Sequence, residues 1–240
     1  MVEEMIRTER MALPEAIAAL GVIVLSDKSL EDVLGCLAEV TKQAVDGAFD
    51  VSITMHERRP ATAASTSDFA RTIDDFQYYA GAGPCLTALE ERRTIVVDDQ
   101  EVDPRWPEYG ARAAAAGLRS SLSVPLLVED RHVAALNIYG VERDAFGPHS
   151  VQAAEDLSVY AAVTLNNADL YFSATSLADQ MTTAMQTRSV IEQAKGVIMG
   201  GRRCNAEEAF AVLVKVSQTS HRKLRDVAQS IIDEIDTPRR

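Results

Sequence analysis

Between Pro148 and Gly196 the chain contains no proline or glycine, and apolar side chains return at three- and four-residue steps: Val151, Ala154, Leu157, Ala161, Leu165, Ala168 and Phe172. Proline would remove an amide donor and glycine would raise the entropic cost of ordering, so a long helix is the conformation least opposed here. The spacing predicts one helix, or two with a break near residues 173–176, and it resembles a short coiled-coil seam diluted by alanines and by the pair Asn166 and Asn167. A partner helix is expected, and a second copy of the chain is preferred over packing within one chain.

The residues ahead of this run alternate between the two periodicities. Ser29 with Asp32 makes an approximate capping box, after which Leu30, Val33, Leu34, Leu37, Val40, Thr41 and Ala44 recur at helical spacing up to an expected stop at Gly47. Val51, Ile53 and Met55 alternate with polar neighbours as a half-buried strand does. TIVV at 94–97, RSSLSVPL at 119–126 and HVAALNIY at 132–139 are further strands, the last two joined by an expected hairpin turn at Glu129, Asp130 and Arg131. This order implies the α+β class, an antiparallel sheet flanked by helices.

Two loops in this part carry candidate chemistry. GAGPC at 81–85 reads as a turn before a short helix, with anion binding by its amides as the sharper alternative. Cys85 reads as a small buried hydrophobe, because no adjacent basic residue lowers its pKa; a reactive thiol is the alternative. Asp98, Asp99 and DPRWP at 103–107 supply either turn chemistry or a cavity lining with Trp106 as its wall. Three widely spaced cysteines, Cys36, Cys85 and Cys204, argue against a disulfide framework and a CxxC site, and the four histidines are scattered. No metal and no evident cofactor are expected. No apolar run approaches the roughly 18 residues of a membrane span, and the opening MVEEMIRTERMA alternates charges, so the expected location is cytoplasmic.

YYAGAGPCLTALEERRTIVVDDQEVDPRW at 78–106, GLRSSLSVPL at 117–126 and ALNIYG at 135–140 together resemble the GAF domain, over about residues 15–170 with a tail at 1–14. The resemblance implies a sensory or dimerising module with a pocket between sheet and helices. Tyr78, Cys85 and Trp106 are the candidate pocket residues, and the motifs do not indicate which small molecule would enter.

The net charge of −12 is unevenly spread. Residues 1–175 hold 14 Lys+Arg against 28 Asp+Glu, whereas residues 176–240 hold 10 against 8. Only the C-terminal part is electrostatically suited to a polyanion. There Ala184, Thr187, Ile191, Ala194 and Ile198 share a helix face expected to stop at Gly200 and Gly201, which leaves Arg202 and Arg203 in a flexible corner. Asn205 with Glu208 begins a second helix, with Ala206, Ala209, Phe210 and Leu213 on one face, and Ser220 is expected to cap a third carrying Leu224, Val227, Ala228, Ile231 and Ile235. Ala194, Ala209, Phe210, Leu213, Leu224 and Ala228 form the expected core of this small unit.

Arg222, Lys223 and Arg225 then fall in the first turns of the third helix, where the dipole disfavours each cation by about 0.3–1 kcal/mol. An Arg222–Asp226 pair at i,i+4 returns only a few tenths of that, so phosphates are the expected compensation. Lys195, Arg202, Arg203 and Lys215 belong to the same unit, although Lys195 borders the apolar stripe and can snorkel. A solvated basic face is the plain alternative.

RSVIEQAKGVIM at 188–199, CNAEEAFAVLVKVSQ at 204–218 and RKLRDVAQSII at 222–232 resemble the ANTAR domain, over about residues 175–236 within a segment taken as 171–240. The resemblance implies a three-helix output module of transcription antiterminators that binds paired RNA stem–loops and keeps a terminator hairpin from forming ahead of RNA polymerase. Lys195, Arg202, Arg203, Lys215, His221, Arg222, Lys223 and Arg225 are the RNA-binding candidates, His221 standing where an asparagine is expected. The resulting expectation is a homodimeric, non-enzymatic regulator whose GAF part governs RNA binding. Two alternatives stay open: a DNA-binding helix-turn-helix protein, and a thiol-dependent reductase of the GAF fold acting through Cys85.

Overall fold

The computed structural model describes residues 11–21, 29–56, 59–128 and 132–236. They form two compact units, divided after Phe172. The first contains α1 (Leu13–Gly21), α2 (Leu30–Ala44), β1 (Asp50–His56), β2 (Pro60–Ser65), α3 (Asp68–Ala80), α4 (Pro84–Glu91), β3 (Ile95–Val97), α5 (Pro107–Ala115), β4 (Ser120–Val128) and β5 (His132–Gly140). The helix α6 (Pro148–Arg202) starts in this unit and ends in the second, which α7 (Ala206–Ser220) and α8 (Leu224–Asp236) complete. The sheet runs β2-β1-β5-β4-β3 with every neighbouring pair antiparallel, so the class is α+β. The edge strand β2 was not legible from its sequence: PATAAS has little β propensity, and its proline is tolerated as the first residue of an edge strand. The hairpin turn expected at 129–131 and the first ten residues of the tail lie outside the described residues.

The sheet corrects the half-buried reading. Val51 and Ile53 of β1, Leu122, Val124 and Leu126 of β4, and Leu136 and Ile138 of β5 join Leu34 and Leu37 of α2 in one apolar core. The intervening positions Ser52, Thr54, Ser121, Ser123, Asn137 and Tyr139 are also buried, although most are polar. The period of two is real, but both faces are covered.

Ser29 caps α2 reciprocally: its Oγ accepts from the Asp32 amide at 3.1 Å, and its own amide donates to Asp32 Oδ2 at 2.9 Å. The helix stops at Ala44 rather than at Gly47, which takes a φ of 85° in the following turn. Gly83, before α4, is required by space instead of by φ, because a Cβ there would sit 2.5 Å from the Gln77 side chain.

The long run folds as one helix without a break at 173–176. The stripe read as a seam belongs to the core of its own chain: Ala154, Leu157, Ala161 and Leu165 are buried in the cluster that contains Leu34 and Leu136. Nor does α6 stop at Gly200 and Gly201. Each glycine weakens a helix by only about 1 kcal/mol, and Ala194 and Ile198 anchor that end in the second core. Termination falls to Arg203, at φ 54°, whose amide donates to the Met199 carbonyl at 2.9 Å.

The second core gathers Ala194, Ile198, Ala209, Leu213, Val227 and Ala228, with Leu224 partly buried beside them. Phe210, expected within it, is 42% exposed. Burial on α7 centres on Ala209 and Leu213, and position 210 lies about 100° further round, roughly a quarter turn away from the core. Alanines at 194, 209 and 228 bring the helices close and leave no space that needs a ring. The third helix also begins later than expected: Ser220 is the last residue of α7 and its hydroxyl donates back to the Val216 carbonyl at 2.6 Å. The side chain of Ile235 lies outside the described residues. Asn205 and Glu208 do form a capping box, at 2.9 and 3.0 Å. Asn205→Ala is expected to lower the stability of the C-terminal unit by about 1 kcal/mol, read as a shift of the denaturant midpoint of the 175–240 helical signal.

Candidate functional site

Arg202 and Arg203 lie at one end of α7, and Arg222, Lys223 and Arg225 beyond the other. Its 15 residues separate them by about 22 Å. At the N-terminal corner Arg202 and Arg203 are exposed, and the left-handed backbone of Arg203 turns the chain from α6 into α7. At the other corner His221 takes the left-handed conformation that closes α7, with φ 53° and its amide on the Ser217 carbonyl. Ser217 fixes the next residue too, accepting the Arg222 amide at 3.2 Å and donating its hydroxyl to the Arg222 carbonyl at 2.6 Å. The Lys223 carbonyl then accepts the Asp226 and Val227 amides at 3.0 and 3.1 Å, which makes Lys223 the residue that opens α8, with a side chain unable to cap it.

The eight RNA-binding candidates are not equivalent. Arg222 does not pair with the Asp226 carboxylate as expected; Nη2 donates to the Asp226 carbonyl at 3.0 Å and to Ser230 Oγ at 2.6 Å, so this guanidinium braces α8. Lys195 donates to both oxygens of Glu192 at 2.9 Å and its side chain is only 16% exposed. Lys223, Arg225, Arg202, Arg203 and Lys215 are exposed, but Lys215, five residues after Phe210, points about 140° away from it around the helix. Phe210, Val214 and Ser217 instead make a stripe of four- and three-residue steps leading from one basic corner towards His221 at the other.

The first unit holds a second candidate site that the sequence reading missed. Asp74 of α3 is completely buried between its helix and the sheet. Its Oδ1 accepts from Tyr139 Oη at 2.5 Å and Asn137 Nδ2 at 3.3 Å, and Oδ2 accepts from Thr62 Oγ1 at 2.7 Å. Asn137 also donates to Thr54 Oγ1 at 2.9 Å and accepts from Ser123 Oγ at 3.0 Å. Burial raises the Asp74 carboxyl to about 6, although hydrogen bonds from Tyr139, Thr62 and Ser52 oppose that rise. Burial likewise raises Tyr139 and Tyr109 well above the usual phenol range. In the same unit the hydroxyls of Tyr109 and Ser121 and both side-chain polar atoms of Gln100 are buried without a partner. The signal that could have located it is the repeated polar member of each strand alternation, Ser52 and Thr54, Ser121 and Ser123, Asn137 and Tyr139, facing a helix that carries an acid at Asp74.

Of the three expected pocket residues, two meet. Tyr78 Oη lies 2.8 Å and Cys85 Sγ 3.4 Å from Thr54 Oγ1. Trp106 belongs to a separate cluster with Ile73 and Tyr109, its Nε1 donating to Thr87 at 3.1 Å and its ring 4.5 Å from the Arg105 guanidinium. The GAGPC segment is the expected turn, with Gly81 ending α3 and Pro84 starting α4, and the Cys85 amide is already taken by Gln77 Oε1 at 3.0 Å. Burial first, and the Asp74 charge second, push the Cys85 thiol up to about 12, so it is held as a thiol and not as a nucleophilic thiolate.

A buried polar layer under a five-stranded antiparallel sheet, followed by a basic helical unit, defines a two-module chain. A GAF domain model matches residues 27–166 and an ANTAR domain model residues 179–232. The chain belongs to the GAF domain family and carries an ANTAR domain behind the GAF domain. A comparison with curated proteins gave no match. Among solved structures, the GAF domain of a phosphoenolpyruvate-protein phosphotransferase from Coxiella burnetii is similar at 15% identity and TM-score 0.50, covering 67% of this chain and 96% of that one. The free methionine-R-sulfoxide reductase of Neisseria meningitidis aligns at 18% identity and TM-score 0.49, covering 66% and 89%. Identities this low speak to fold alone. Among the described residues, no helix is long and apolar enough to cross a membrane.

The Asp74 environment has a measurable consequence. Its folded pKa, about 6, lies above the ordinary value of 3.8, so the folded state holds the extra proton between these values and the contribution of Asp74 is lost as pH rises through 6. The stability of Asp74→Asn relative to the parent is therefore expected to improve by about 2 kcal/mol between pH 4 and pH 7, measured by urea unfolding across that range. A difference independent of pH would contradict this assignment.

Proposed function

We propose that the chain is a cytoplasmic RNA-binding regulator of transcription antitermination, in which residues 15–170 act as the sensory or dimerising module and residues 171–240 bind paired RNA stem–loops. Two copies pair through their long helices, so that two bundles engage two loops and raise affinity by effective concentration. Binding keeps a terminator hairpin from forming and so acts on RNA polymerase indirectly. The role is regulatory, not catalytic. A small molecule acting on the GAF part works by preferring one of two arrangements of the polar layer that reaches Tyr78 and Cys85.

The observation that carries this reading is the pair of exposed basic corners on α7, joined by a stripe that begins at the exposed ring of Phe210 and leads to His221. RNA loops are bound through backbone charge and through stacking of unpaired bases on rings, and this face offers both. The ANTAR match over residues 179–232 supports the same ligand class.

Binding of a two-hairpin RNA across a salt series tests it, with duplex DNA as competitor. Lys223→Ala and Arg225→Ala are each expected to reduce the magnitude of the log–log salt slope by roughly 0.7–0.9. Arg222→Ala is expected to destabilise the unit first, because its guanidinium braces α8. Unchanged slopes, or preferential competition by duplex DNA, would overturn the reading. Phe210→Ala is expected to leave stability within about 0.5 kcal/mol, since the ring lies outside the core, while weakening RNA binding by about 1–3 kcal/mol in the same titration.

A further inference from the structure

The turns at the two ends of α7 are both made by a residue other than glycine in the left-handed region, Arg203 at φ 54° and His221 at φ 53°. An L side chain is disfavoured there and glycine is not, and the same chain closes α3 with Gly81 at φ 65°. Arg92 closes α4 in the same way as His221 closes α7, at φ 52°, so the conformation by itself assigns nothing. What sets His221 apart is how the residues around it are used.

Several polar side chains beside it are spent within the unit. Ser217 Oγ donates to the Arg222 carbonyl at 2.6 Å, Thr219 Oγ1 to the Lys215 carbonyl at 2.9 Å and Ser220 Oγ to the Val216 carbonyl at 2.6 Å. The Arg222 guanidinium is held by the Asp226 carbonyl and Ser230 Oγ. The imidazole of His221 is exposed and has no hydrogen bond or ion pair among the described residues. Its backbone, by contrast, is fixed on both sides: the Ser217 carbonyl accepts the His221 amide and, at 3.2 Å, the Arg222 amide. A left-handed residue over-determined in this way holds its side chain to a narrow range of directions, and the exposed Lys223 and Arg225 follow within four residues.

We propose that His221 is a specificity-determining residue of the C-terminal unit, reading the edge of an unpaired base in an RNA loop. This deepens the RNA-binding reading above and rests on it. Phosphate contacts hold a nucleic acid in place without distinguishing its sequence, and Lys223 and Arg225 supply those. Phe210 offers a ring without polar atoms, on which any base stacks. An imidazole adds to its flat face one nitrogen that donates and, when neutral, another that accepts, so it distinguishes bases by their hydrogen-bonding edges. Glycine or asparagine would close α7 with less strain, but neither carries a ring, and that ring is what the left-handed histidine preserves.

The test uses the full chain to select binders from a pool of two-hairpin RNAs with constant stems and randomised loops. The parent is expected to enrich particular bases at one or more loop positions. His221→Gly and His221→Asn are expected to lose that preference at one position at least and to bind the parent's selected RNA roughly tenfold more weakly, while the denaturant midpoint of the 175–240 helical signal stays level or rises. Lys223→Ala and Arg225→Ala are expected to weaken binding to every loop and to keep the parent's preference. Arg92→Gly, the matching change at the end of α4, is expected to alter neither. A parent that retains no RNA from the pool overturns the RNA-binding reading together with this one. A parent that binds all loops alike, His221 variants that select the parent's loops, or a midpoint lowered in both variants, which would give the ring a place in the fold, overturns this proposal and leaves RNA binding standing.

Discussion

The organising constraint is that one uninterrupted helix belongs to two hydrophobic cores. Leu157, Ala161 and Leu165 of α6 complete the apolar face of the sheet, and Ala194 and Ile198 complete the three-helix unit. Between these segments the side chains of residues 173–186 are exposed. Averaged along its length such a helix has no single apolar face, because successive segments turn different faces inward. Its continuity through Gly200 and Gly201 follows from the same cause: the second core holds the backbone on the near side, and each glycine costs too little to release it.

The sheet shows the complementary case, in which a polar face is covered instead of solvated. Burying hydroxyls and amides is tolerable only when they satisfy one another, and here they converge on Asp74, whose oxygens receive donors from β2, β5 and, less closely, Gln77. The balance is imperfect. Desolvation outweighs the donors and keeps the carboxyl near 6, while Gln100, Tyr109 and Ser121 retain unpaired buried atoms in the same unit.

Local chemistry was legible where it was self-contained. The reciprocal caps at Ser29 and Asn205, the GAGPC turn and the strand periodicity each depend on a few neighbouring residues, and the structure reproduces them. What sequence could not decide was the environment of a face. Ser52 and Thr54 look solvent-facing until α3 is known to lie over them, and Phe210 looks like core until the alanine contacts show how closely the helices approach. The α6 stripe was misread for the same reason, since an apolar periodicity cannot be assigned to a partner without the sheet. The cations divide along this line as well: Arg222 and Lys223 are adjacent and alike in sequence, yet one is consumed by Ser230 and the Asp226 carbonyl while the other stands exposed.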